Sequence, residues 1–211
     1  MGLAHISGLL GAAAVNRGVF PTIHPSSTWT AQSLAKDLIL LGWPRGNEAT
    51  AAVMERIDVP VHFTGHDGRE VSARIGGESR AIGRAEYENT QEGRLTRRDV
   101  GVGLCVANPI AQERSILILA GSETFGVVAA AQAIGVDRVP ELLNFGRIFR
   151  HLWRFPIARL ILAGFVRRRE WCFVVRCEVD QLATTPPQFL ATWSRKVGSR
   201  EWREGPPRGG K

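Results

Sequence analysis

Four residues between two glycines hold the densest chemistry in the chain. Ser122, Glu123, Thr124 and Phe125 lie between Gly121 and Gly126, after the apolar run Ile116–Ala120 and before the alanine-rich stretch Val127–Ile134. The first N–H groups of a helix have no intrahelical partner, so a helix that starts here offers donors to an anion. Thr124 reads as the cap for those groups. The spacing G-x-x-x-x-G is that of a phosphate-binding loop. Val127 and Val128 nevertheless stand where that loop needs Lys and Ser or Thr, which excludes the Walker chemistry. The plain alternative is a strand, turn and helix with no ligand.

A second stretch repeats the pattern. Asp37–Leu41 is an apolar strand, Gly42-Trp43-Pro44-Arg45-Gly46-Asn47 a turn, and Asn47 a natural N-cap for Glu48–Ile57. Two such units side by side in a parallel sheet bring both turns to its carboxyl edge, where open α/β sheets bind ligands. The expected ligand-binding set is therefore Gly42, Asn47, Gly121, Ser122, Glu123, Thr124 and Gly126. For a transferase or hydrolase at the same edge the candidates are Asp99, Asn108, Ser122 and Glu123. No serine has a G-x-S-x-G elbow, and no histidine is placed by sequence to serve as its base. His62, His66 and Asp67 combine metal-ligand types. They read more simply as a polar turn, and no metal site is assigned.

The elements that position these residues follow from periodicity. Leu3–Val15 and Trp29–Lys36 read as helices, the latter capped by Ser27 or Thr28, and Val19–His24 as a short strand. Val59–Thr64 and Glu70–Ile75 form a hairpin about Gly65-His66-Asp67-Gly68. Gly76–Thr96 is polar and charged and reads as a surface loop anchored by Tyr87. Asp99–Ala107 is a strand whose Gly101 and Gly103 share one face, so something packs closely there. The short link from Asn108-Pro109 to Ile116 predicts an antiparallel neighbour. Asp137–Phe145 reads as a helix, Trp171–Val179 as a strand, and Phe189–Lys196 as a short strand or helix. The fold expected is α/β, a Rossmann-like three-layer arrangement with a mixed, mainly parallel sheet. Residues 1–197 form one domain and 198–211 a disordered tail.

Charge adds a second feature. The net charge is +7 over 211 residues. Residues 1–100 carry 11 basic and 11 acidic side chains, and residues 101–211 carry 16 and 9, so the excess sits in the second half. Residues 145–169 hold Arg147, Arg150, Arg154, Arg159, Arg167, Arg168 and Arg169 among aromatic and aliphatic residues. This is a basic amphipathic segment, solvated on its arginine face. A membrane surface or RNA is its alternative partner. Cys105, Cys172 and Cys177 lack zinc spacing and fit a reducing, cytoplasmic setting. No apolar run reaches the length of a membrane span.

The order Gly42-Trp43-Pro44 and Asn47 before a helix, a strand Asp99–Ala107 ending in Asn108-Pro109, and Ile116–Ala131 with its Gly-bounded turn resembles the Rossmann-like domains of archaeal surface-layer proteins and uncharacterised bacterial relatives. The resemblance spans roughly Asp37–Ile134. Trp43 replaces a glycine, and Val127 follows Gly126 where that family has Thr. It implies a fold and a binding or structural role, and it carries over no catalytic residue; the cofactor, if any, is left open. The expected function is a non-catalytic sensor or interaction domain that binds a nucleotide, another anionic small molecule or a protein partner.

Overall fold

The computed structural model describes residues 28–75, 77–91, 93–134, 169–180 and 183–205. Their elements run α1 (Ala31–Leu34), β1 (Leu38–Leu41), α2 (Glu48–Met54), β2 (Val61–Thr64), β3 (Glu70–Ile75), β4 (Glu78–Arg84), β5 (Glu86–Thr90) and β6 (Gly93–Ala107). β7 (Ser115–Gly121), α3 (Thr124–Ala133), β8 (Arg169–Asp180), β9 (Ala183–Thr184), β10 (Gln188–Lys196) and β11 (Arg203–Glu204) follow. The expected helices at Leu3–Val15 and Asp137–Phe145, the strand at Val19–His24 and the basic segment up to residue 168 lie outside the described residues.

A mainly parallel Rossmann-like sheet is not what forms. Among the described residues 52% are strand and 16% helix. The large sheet has eight strands in the path β1-β7-β6-β8-β10-β11, with β5 on β6 and β9 on β8, and β2-β3-β4 make a separate antiparallel sheet. Among the described residues only β1 and β7 pair in parallel. β6 pairs antiparallel with both β7 and β8, and β8 with β10. The cause is chain length. Seven residues join β6 to β7, too few for the crossover that a parallel neighbour needs.

Gly76–Thr96 supplies most of the missing strand. It forms β4, β5 and the start of β6 rather than a loop. β4 and β5 are exposed on both faces over most of their length, so no apolar alternation marks them in sequence. Cross-strand ion pairs take its place: Arg97 with Glu88, and Arg98 with both Glu86 and Glu178. α1 is shorter than expected. Its cap is Thr30, whose hydroxyl accepts from the Ser33 N–H while the Ser33 hydroxyl accepts from the Thr30 N–H.

The period of two along the central strands makes two cores. Val100, Val102, Leu104, Ile116, Ile118, Cys172 and Val174 face α2 and the three-stranded sheet. Leu119, Trp171, Phe173, Val175 and Cys177 face α3. All three cysteines are free. The segment read as a tail is docked in part: β11 pairs with β10, and Trp202 packs on the first core.

Candidate functional site

The parallel pairing of Leu38–Leu41 with Ile116–Leu119 brings both Gly-bounded turns to one sheet edge. Gly42 ends β1 with φ 103° and donates its N–H to the Leu119 carbonyl at 2.9 Å. Only glycine adopts that conformation without strain. α2 then leaves toward one core and α3 toward the other. Neighbouring parallel strands whose helices diverge open a crevice at the carboxyl edge.

In the first turn Asn47 caps locally. Its Oδ1 accepts from the Thr50 N–H at 3.1 Å, and its Nδ2 donates to the Leu41 carbonyl at 2.8 Å. The side chain thus ties the helix start to the strand end.

The second turn is capped from elsewhere. Glu123 is the N-cap residue of α3 and makes no side-chain cap bond; the cap expected from Thr124 is replaced by a residue of β6. Asp99 Oδ1 accepts from the Glu123 N–H at 3.1 Å and from the Val100 N–H at 2.7 Å, and Oδ2 accepts from the Gly126 N–H at 2.5 Å. The negative group that the helix start attracts is therefore the buried Asp99 itself. Burial pushes the Asp99 carboxyl up to about 6, against the pull of its three N–H donors and with a smaller upward push from the Glu123 charge. This approach needs glycines. A Cβ on Gly101 would stand 2.1 Å from the Gly126 carbonyl oxygen, and one on Gly126 would stand 2.2 Å from the Val100 oxygen. Gly103 lies under the Phe173 ring.

The remaining candidates divide. Ser122 is buried, donates its N–H to the Val100 carbonyl at 2.9 Å, and its hydroxyl has no partner among the described residues. Asn108 lies far from any such chemistry. Its Nδ2 donates to the Leu34 and Lys36 carbonyls at 2.6 and 2.8 Å, and its Oδ1 accepts from the Ile110 N–H. It fastens the α1–β1 connection to the end of β6. Glu123 reaches outward. Its Oε1 accepts from the Tyr87 hydroxyl at 2.5 Å and pairs with Arg69 at 3.0 Å, while Arg94 lies 3.4 Å over the Tyr87 ring. Burial first, then the Glu123 carboxylate, pushes the Tyr87 phenol up to about 12.

A cleft of about 370 Å³ opens beside the first turn, and sequence reasoning missed its walls. Trp43 and Phe63 meet edge to face with ring centres 6.1 Å apart, over a floor that includes Ala51, Met54 and Val59. Arg45, Glu55 and His62 supply its charged and polar groups. Desolvation, and then the nearby Arg74 charge, lower the His62 pKa. The hairpin turn is shared: Gly68 lies against the Trp43 ring, Arg45 donates to the Asp67 carbonyl at 3.2 Å, and Arg69 holds Glu123. The signal in the sequence is Trp43 itself, a large ring in a short glycine-bounded turn.

The site belongs to a mixed-sheet domain dominated by antiparallel strands, with one parallel pair carrying the edge. Comparison with family models, with curated proteins and with solved structures finds no match for this chain. Among the described residues no three His, Cys, Asp or Glu side chains gather to hold a metal ion, and no helix is long and apolar enough to cross a membrane.

Proposed function

We propose that the chain is a non-catalytic ligand-binding domain whose ligand, a nucleotide or another ring-bearing anion, seats in the Trp43–Phe63 cleft rather than at the start of α3. The observation that carries this reading is the cleft itself: two aromatic side chains and an apolar floor beside Arg45, at the carboxyl edge of the one parallel pair. Flat rings gain from aromatic walls, and a guanidinium suits a phosphate or carboxylate. The Glu123 and Gly126 N–H groups at the start of α3 are engaged by Asp99 and do not compete for that anion. A hydrolase or transferase at this edge has less support, because Asp99 and Asn108 are committed to backbone groups and Ser122 has no base beside it.

The test is a titration with ATP, GTP, AMP and flavin mononucleotide, followed by calorimetry and by melting temperature, since a ligand bound only to the native state raises it. At least one of them binds saturably, and Trp43→Leu weakens that binding about tenfold or more. Binding unchanged in Trp43→Leu, or no binding by any of the four, overturns the assignment.

A further inference from the structure

A second cavity lies at the other end of the β2–β3 hairpin from the Gly65–Arg69 turn. It encloses about 230 Å³ between Pro60, Arg74 and Trp193 on the body and Arg200, Glu201, Trp202 and Glu204 on a C-terminal strap. The strap is held in place by structure. Glu204 and Arg203 pair with Trp193 and Ser194, the Gly205 N–H donates to the Thr192 carbonyl at 2.8 Å, and Trp202 Nε1 donates to the Asp58 carbonyl at 3.1 Å. The Trp202 ring also covers the Arg195 guanidinium at 4.5 Å.

The charges on this wall are unevenly matched. Glu204 is engaged by Arg80 at 2.7 Å, and Glu201 by Arg203 at 3.9 Å. Arg74 and Arg200 have no acidic partner among the described residues. Trp193 is 3% exposed, and its indole N–H finds no acceptor there. An indole is a donor only, and so is a guanidinium. The spare hydrogen-bonding capacity of the basic and indole groups is thus all of one kind, and it asks for a negatively charged acceptor.

We propose that this cavity binds a small oxyanion, a carboxylate or phosphate group, between Arg74 and Arg200, with the Trp193 N–H as third donor and the Trp202 strap as its cover. Guanidinium forks fit both kinds of oxyanion. The Trp193 N–H is buried and has no partner among the described residues; in this proposal the ligand reaches it as the strap lifts. Two register pairs and the Gly205–Thr192 bond join the strap to β10, and the Trp202–Asp58 and Arg80–Glu204 contacts must also open. The site is separate from the Trp43 cleft, although its Arg74 also acts on His62 of that cleft, and it does not rest on that reading.

The indole N–H of Trp193 is its own reporter. Uniformly ¹⁵N-labelled protein is titrated with inorganic phosphate in one arm and succinate in the other, with sodium chloride at equal ionic strength as reference. The Trp193 resonance, assigned by Trp193→Phe, moves saturably with at least one anion, and the arm with the lower midpoint identifies the source. Arg74→Gln and Arg200→Gln, both at exposed positions, each raise that midpoint about tenfold. If neither anion moves the resonance beyond the chloride reference, the proposal fails. It fails equally if the shift survives the double Arg74→Gln, Arg200→Gln variant. Should Trp193→Phe not fold, the anion-dependent rise in melting temperature of wild type against the double variant decides in the same way: a rise lost in the double variant supports the site, and an equal or absent rise overturns it.

Discussion

The two strand–turn–helix units look alike in sequence and are built on opposite principles. β1–α2 carries its own cap: Asn47 binds the helix start and the strand end within six residues. β7–α3 has no local cap, and its helix start is bound by Asp99, 24 and 27 residues away from Glu123 and Gly126. The first unit leaves a cleft beside its turn, while the second is sealed against β6 by a glycine contact. A glycine-bounded turn before a helix can therefore be a place for a ligand or a place for the protein's own carboxylate. Which one holds depends on the neighbouring strand.

The largest expected effect comes from breaking the sealed unit. Gly126→Ala sets a Cβ against the Val100 backbone, which cannot swing aside as a side chain could. The expected loss is about 4 kcal/mol, at the severe end for a single substitution. A glycine change in the turn of the other unit, Gly42→Ala, meets only the Asn47 Cβ at 3.7 Å and suffers mainly from its positive φ, so about 1–2 kcal/mol is expected. Chemical denaturation of both variants measures the ratio. Equal losses would show that the glycine contact is not what distinguishes the units.

Removing the caps comes next. Asp99→Ala leaves the Glu123 and Gly126 N–H groups without their acceptor at a buried helix start, for about 3 kcal/mol. Asn47→Ala removes a partly buried cap for about 1–2 kcal/mol. The same contrast has a pH signature. The native Asp99 carboxyl titrates near 6 against an ordinary 3.8, so between those values the native state holds more protons than the unfolded state. Stability from this group is therefore greatest below about pH 4 and falls as pH rises toward 6, by up to about 3 kcal/mol. That slope is opposite to the one an ion-paired carboxylate gives. Subtracting the pH profile of Asp99→Asn isolates it, and a flat difference between pH 4 and 7 would remove Asp99 as the titrating group.

What was legible in the sequence follows the same division. Asn47 as a cap, the β2–β3 hairpin, the β6–β7 antiparallel link and the close packing at Gly101 and Gly103 all depend on neighbours in the chain or on period two, and the structure has each. The sequence points to Thr124 as the cap on α3, because nothing local signals a carboxylate on β6. Asp99 and Asn108 look like chemical groups in the sequence, because a polar residue at a strand end looks the same whether it faces a substrate or a backbone group. Two strand–helix units imply a parallel Rossmann-like sheet, but the short β6–β7 link reverses the chain, and the added strand of β4, β5 and the start of β6 is exposed and charged, with Glu–Arg pairs in place of an apolar face. The Trp43 cleft needed α2 and the hairpin folded against each other before it existed.

The smallest effect tests whether the sealed unit still communicates with the open one. Arg69 sits in the hairpin turn whose Gly68 lies on Trp43, and it reaches across to Glu123 beside the Tyr87 hydroxyl. Tyr87→Phe removes one donor from Glu123 and the hydroxyl that accepts from Arg69 at 3.3 Å, and leaves the Arg69–Glu123 pair in place. Because the pair is partly exposed, about 0.5 kcal/mol of stability is expected to go. The consequence for the cleft is the sharper measurement. With Tyr87 gone, Arg69 is the remaining described side chain that binds Glu123, so the hairpin turn rests on Trp43 with one restraint fewer. Trp43 fluorescence then shifts slightly while the melting temperature hardly moves. Arg69→Gln, which cuts the turn from Glu123 altogether, gives the larger shift of the two. If both variants leave the Trp43 emission unchanged, the turn is held by Gly68 and Arg45 alone, and the two units are mechanically separate.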